Sequence, residues 1–174
     1  MITFKQYLTE ARMAPLYHGT SVANALKILS QNVMRAGSTP GDPYAISFTR
    51  NLKFAFDHSE LVHTPYKGKA VTAVLQFDQQ KLNYNYKLEP YNFFSQKQRE
   101  AMRIDKARPS KADAEKMGDP EIRPEFEERI VGNKPIYEVK KYITKIIILK
   151  KMSKRMTEKQ LKALKDFGIK VEII

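Results

Sequence analysis

The longest uninterrupted apolar run in this chain is four residues, Ile146-Ile147-Ile148-Leu149. That is the length of a strand and far short of the ~18 residues that span a bilayer. The fold is therefore assembled from short segments, and periodicity has to separate strands from helices. "AVTAVLQFD" (70–78) is rich in β-branched residues and bounded by Gly68 and Asp78, which predicts a strand. "YITKIIIL" (142–149) predicts another, with further strands at "LYH" (16–18), "YAISF" (44–48), "EFEERIV" (125–131) and "IKVEII" (169–174).

Between them lie helical patterns. Val22, Ala25, Leu26 and Leu29 recur at helical spacing in "VANALKILSQN", behind a Gly19-Thr20-Ser21 turn that supplies an N-cap. "NLKFAFDHSELVH" (51–63) reads as a helix capped by Asn51, and "NFFSQKQREAMRI" (92–104) as another. Thr157 and Gln160 form a capping box for "EKQLKALKDF", which Gly168 ends. Residues 36–43 are a Gly/Pro/Ser loop. Residues 105–124 are polar, punctuated by proline and without period, and long loops of this kind are usually functional or disordered. Strands and helices alternate irregularly, not as βαβ units, so the fold class is α+β. With 174 residues, the chain is expected to hold one domain, 13–174, behind a short segment, 1–12.

Charge constrains the partners. Lys and Arg number 31 against 19 Asp and Glu, a formal net charge of +12. Such a surface attracts nucleic acid, an acidic protein or a phosphate-bearing ligand. Ten lysines and one arginine lie between Lys140 and Lys170, against Glu158 and Asp166 alone. Runs like this are commonly solvated faces, and this one lacks the interleaved aromatics of a base-stacking platform. Cysteine is absent, so there is no disulfide framework and no thiolate metal site. There is no Walker A pattern, no GxGxxG and no His/Cys/acid cluster at metal-ligand spacing. A metal is not expected, and neither is a membrane span.

Three short stretches carry polar groups where chemistry would need them. In "LYHGTS", His18 ends a strand and Gly19 has no Cβ, so a ligand can come close to its backbone. Thr20 and Ser21 add hydroxyls at a helix start, where free N–H groups favour anions. An ordinary strand–turn–helix with a structural histidine has the same pattern. In "ISFTRN", Ser47 and Thr49 share a strand face and Phe48 takes the other, with Arg50 beyond. In "EFEERI", Glu125 and Glu127 share one face directly after the long loop, while Glu128 shares the other with Phe126 and Ile130. A carboxylate there can act as a base or stabilise a developing cation; it can equally be a solvated face paired with Arg129.

Taken in order, "LYHGTS", "ISFTRN" and "EERI" followed by "KPI…KYITKIIIL" resemble the ADP-ribosyltransferase superfamily, and most of all its small phage- and mobile-element-encoded members. The resemblance runs from about residue 15 to residue 150. It implies a split two-sheet fold gripping NAD, the co-substrate, in a central cleft. By that match His18 would hydrogen-bond the nicotinamide-side ribose and the Gly19 backbone would hold the carboxamide. Tyr17 and Thr20 would flank them, and Ser47, Phe48, Thr49 and Arg50 would form the second cofactor motif. Ser47 stands where other branches carry a tyrosine or a serine; it departs from the tyrosine form, so a stacking aromatic would come from elsewhere, with Phe54, Phe56 and His58 as candidates. Glu127 would be the catalytic carboxylate and Glu128 the alternative. Glu125 would complete the E-x-E spacing of the arginine-modifying branch as a substrate contact. Residues 105–124 would match a target-recognition loop. The implied activity is transfer of ADP-ribose from NAD to a bacterial host macromolecule with release of nicotinamide. Protein is the favoured acceptor, and nucleic acid is also open.

The leader "MITFKQYLTEAR" resembles the capsid-targeting peptide of internal head proteins in large tailed phages. Phe4, Tyr7 and Leu8 share one helical face, and Leu8-Thr9-Glu10 matches a prohead-protease site, with cleavage before Ala11. This implies a protein packed in the virion interior with phage DNA, its basic surface against that DNA, and injected into the host cytoplasm. Two other readings compete: a basic, non-catalytic nucleic-acid-binding or internal head protein, and an NAD-using enzyme acting on an RNA 2′-phosphate, for which Arg50 is the only phosphate ligand beside the motifs.

Overall fold

The computed structural model describes residues 14–37, 44–63, 70–90 and 128–174. The leader, the loop at 105–124, the helix expected at 92–104, Glu125 and Glu127 lie outside these residues.

Nine strands run through the described residues: β1 (Leu16–Ser21), β2 (Val33–Met34), β3 (Ala45–Phe48), β4 (Thr72–Phe77), β5 (Glu89–Pro90), β6 (Glu128–Val131), β7 (Ile136–Tyr137), β8 (Ile143–Ile148) and β9 (Lys170–Ile173). The helices are α1 (Val22–Gln31), α2 (Leu52–His63), α3 (Gln79–Asn85), α4 (Lys150–Ser153) and α5 (Glu158–Lys165), with a single 3-10 turn at Val139–Lys141. One sheet has the order β1-β4-β8-β9; a second has the order β3-β6-β5; β2 and β7 pair separately. Pairing is antiparallel except between β8 and β9.

The apolar patterns explain the layering. β4 and β8 are the inner strands of the first sheet, and each is buried on both faces. Ala73, Leu75, Phe77, Ile146 and Ile148 face the main core, which also takes Leu29 from α1, Leu164 from α5, and Ile46, Phe48 and Ile130 from the second sheet. Val74 and Ile147 alternate to the opposite face, where they meet Ala55 and Phe56 of α2. Hence α2 covers one side of the first sheet, while the second sheet, α1 and α5 share the other.

The helix signals are realised in detail. Ser21 caps α1 by accepting from the Asn24 N–H at 3.1 Å. Asn51 Oδ1 accepts from the Phe54 N–H at 3.1 Å at the start of α2. Thr157 and Gln160 form both halves of the capping box on α5. Gly168 follows α5 at a φ of 72°, the left-handed conformation that glycine enters without penalty.

One local expectation fails. Gly19-Thr20-Ser21 is not a turn but the second half of β1, in register with Val74, Ala73 and Thr72 of β4. Glycine signals a turn only when nothing distant recruits it, and here the partner strand lies some fifty residues on.

Candidate active site

The two larger sheets are joined edge to edge at one place. The Tyr17 N–H donates to the Thr49 carbonyl at 2.8 Å, and the Thr49 N–H returns a bond to the Tyr17 carbonyl at 2.9 Å. One residue on, His18 Nδ1 lies 2.9 Å from the Ser47 carbonyl. A carbonyl only accepts, so Nδ1 must carry the proton. In the neutral ring Nε2 is then the acceptor, with its lone pair opposite Ser47. The ring is also braced by Phe48, edge-on with centroids 6.2 Å apart, and Phe48 in turn abuts Phe77 at 5.1 Å. The histidine is thus carried by the first sheet and its ring is held by the second.

Strand alternation places the next group. Tyr17 turns its N–H and C=O toward β3, and Val22 bonds Val71 on the β4 side at 2.8 Å. Even-numbered residues of β1 therefore bond β4, and the N–H and C=O of Gly19 point the other way, past the place where β3 leaves β1. An adjacent peptide donor and acceptor at a strand edge left open among the described residues match the two functions of a primary carboxamide.

Gly19 also has a packing reason to be glycine. A β-carbon there would overlap the Ala55 carbonyl oxygen of α2 and stand 3.0 Å from Ser59 Cβ. Ser59 is fully buried and donates its hydroxyl to the Thr20 carbonyl at 2.7 Å. The sequence reading missed this contact; its signal was the pair of small residues Ala55 and Ser59, four apart on one helical face.

The remaining predicted residues divide. Tyr17, Ser47 and Arg50 are half-buried at the junction. Thr20, Phe48 and Thr49 are buried. Phe48 is the support beneath His18, and Thr49 Oγ1 accepts from the Asn51 N–H at 3.1 Å, tightening the exit from β3 into α2. The Glu128 backbone stands opposite Phe48 in the β3–β6 register and opposite Pro90 of β5. β6 thus reaches the junction beside His18's support. Of the aromatics considered for stacking, Phe56 is packed beneath the first sheet with Ala55 and Val74. Phe54 and His58 stack on each other along α2, with centroids 5.9 Å apart and planes 19° from parallel.

The chain has an ADP-ribosyltransferase-like fold of two split sheets. Among solved structures, the chain is similar to DarT of Thermus sp. 2.9 in complex with ADP-ribosylated single-stranded DNA. That match has a TM-score of 0.54 and 15% identity over 93% of this chain and 94% of that one. The same protein in complex with NAD+ gives a TM-score of 0.50 and 16% identity, over 93% of this chain and 96% of that one. No protein-family model and no curated protein matches the chain.

Proposed function

We propose that this protein transfers ADP-ribose from NAD to a nucleic acid. The observation that carries the reading is His18: a ring locked by the Ser47 carbonyl in the tautomer that accepts a hydroxyl proton, beside an outward-facing Gly19 peptide, at the junction of the two sheets. Those groups fit the ribose hydroxyl and carboxamide of a nicotinamide ribose. The fold shared with a protein solved with NAD+ and with ADP-ribosylated single-stranded DNA supports the same reading. The E-x-E spacing of Glu125 and Glu127 favours arginine on a protein as acceptor; the DarT complex and the +12 charge favour nucleic acid instead.

When bound, NAD supplies a glycosidic bond to a good leaving group, nicotinamide. The chain's part is to hold and to stabilise. His18 Nε2 fixes the ribose by accepting from a hydroxyl, and Gly19 fixes the carboxamide. Glu127, on the approach to β6, is assigned the carboxylate that stabilises positive charge developing on the ribose, with Glu128 as the alternative. Residues 105–124 are assigned to recognition of the acceptor, and 13–174 to a single catalytic domain.

The test is transfer of label from NAD in a bacterial lysate, with parallel nuclease and protease digestion. Nuclease-sensitive label that disappears in Glu127→Gln supports the proposal. Protease-sensitive label would move the acceptor to protein, and no transfer together with no NAD cleavage would overturn the enzyme reading. Activity lost in Glu128→Gln but kept in Glu127→Gln would reassign the carboxylate. For the leader we propose processing before Ala11 in a virion. Protein from purified particles should then begin at Ala11 by mass, and an intact Met1 would refute it.

A further inference from the structure

The segment between β8 and β9 carries positive charge that the cleft does not use. Lys150, Lys154, Lys159, Lys162 and Lys165 are all exposed, and none has an ion pair to another described residue. Lys151, bound to Glu60 of α2 at 2.8 Å, and the exposed Arg155 add to the same segment. Glu158 is the only acid between 150 and 165.

The largest buried apolar residues of the segment are committed to the core, and none of its apolar residues is exposed. Met152 and Leu164 are buried in the main core. No aromatic residue lies between 150 and 165. A helix that inserts into a lipid surface needs apolar side chains on its outward face, and a base-stacking platform needs aromatics. The exposed residues of this face are neither apolar nor aromatic; its charge is chiefly that of lysine ammonium groups, with the Arg155 guanidinium beside them. On α5, Lys159, Lys162 and Lys165 climb the helix about 4.5 Å apart in axial rise. Such an array matches a chain of phosphates read without regard to sequence.

Its place in the fold separates it from the candidate site. α4 and α5 join β8 to β9 at one side of the first sheet, and His18 lies on β1 at the other. Two to three strand spacings, on the order of 10–15 Å, separate them across the sheet.

We infer that the α4–α5 face is a second nucleic-acid contact, holding the phosphate backbone of a single strand outside the cleft. It concerns strand binding, which needs no NAD, and so stands apart from the proposed chemistry.

The experiment is binding of a labelled single-stranded DNA oligonucleotide by fluorescence anisotropy over a range of salt concentrations, in the absence of NAD. Replacing Lys159, Lys162 and Lys165 together by Gln should weaken binding at least tenfold at low salt. The slope of log K against log salt should become shallower by about 2, at ~0.7 per lost phosphate contact on a single strand. Glu158→Gln, which removes a repelling charge and leaves the lysines in place, should strengthen binding at low salt, and it serves if the triple variant does not fold. NAD cleavage should be unchanged in all of these. An unaltered slope and affinity in the variants would overturn the inference. So would a wild-type protein that binds phosphatidylserine vesicles but not DNA. Wild-type DNA binding without NAD cleavage would instead remove the proposed reaction and leave this surface standing.

Discussion

His18 and Gly19 are neighbours with different duties. His18 is held by the Ser47 carbonyl and the Phe48 edge, and its removal leaves the core of the first sheet intact. His18→Ala should therefore fold with a melting temperature within a few degrees of wild type while NAD affinity, read by calorimetry, falls at least tenfold. Gly19→Ala is expected to do the reverse. The obstructing atom is a backbone carbonyl of α2, which cannot swing aside as a side chain would. Overpacking costs up to about 3 kcal/mol at such a site, which is a drop of about 10 °C in Tm for a chain of this size. If Gly19→Ala melts like wild type, the close approach of α2 is wrong. The histidine was visible in the sequence as an odd residue at a strand end. The glycine's reason was not, because the atom that demands it lies thirty-six residues away.

Among elements, legibility followed locality. The α5 capping box was plain in Thr157 and Gln160, since every partner lies within one helical turn. Thr157→Ala should cost about 1 kcal/mol, seen as a few degrees in Tm. β4 and β8 were equally plain from their β-branched runs. The end of β1 was not, because pairing with β4 overrode the turn preference of Gly-Thr-Ser. The β8–β9 pairing shows a cross-strand contact that sequence cannot supply: Lys145 Nζ lies 2.9 Å from Glu172 Oε2, with Lys170 at 4.0 Å. The hydrogen bond and charge of Lys145 hold the Glu172 carboxyl below its usual range. A carboxyl with a depressed folded pKa stabilises the fold above its unfolded value, here 4.5, and loses that contribution as pH falls through the lower folded value. Lys145→Gln should thus melt below wild type at neutral pH, and the gap should close in acid as the Glu172 carboxyl protonates. A gap independent of pH would assign the loss to packing.

For the whole molecule, the α+β class followed from the irregular alternation of strands and helices, and the split-sheet architecture from the resemblance carried by three short motifs, each weak alone. Their spatial meeting is a tertiary fact: β1 and β3 touch through Tyr17 and Thr49, thirty-two positions apart. Glu125 and Glu127 lie outside the described residues, and β6 begins directly after them at Glu128. The net charge of +12 makes a prediction about the two half-reactions together. Capture of a polyanionic acceptor weakens steeply with salt, whereas NAD cleavage inside the cleft is screened far less. Raising salt from about 50 to 200 mM should cut transfer to DNA at least tenfold and leave NAD hydrolysis within about twofold. Parallel decline of both would mean that the charge serves folding or NAD capture and not the acceptor.

The contact between Gly19 and α2 also bears on descent. A lineage that abandoned the chemistry would be free to lose the imidazole, yet could not admit a side chain at the next position without moving a helix. Drift would therefore erase the histidine first and keep the glycine. Across distant descendants, the glycine would mark ancestry and its neighbour would mark whether the proposed chemistry is retained.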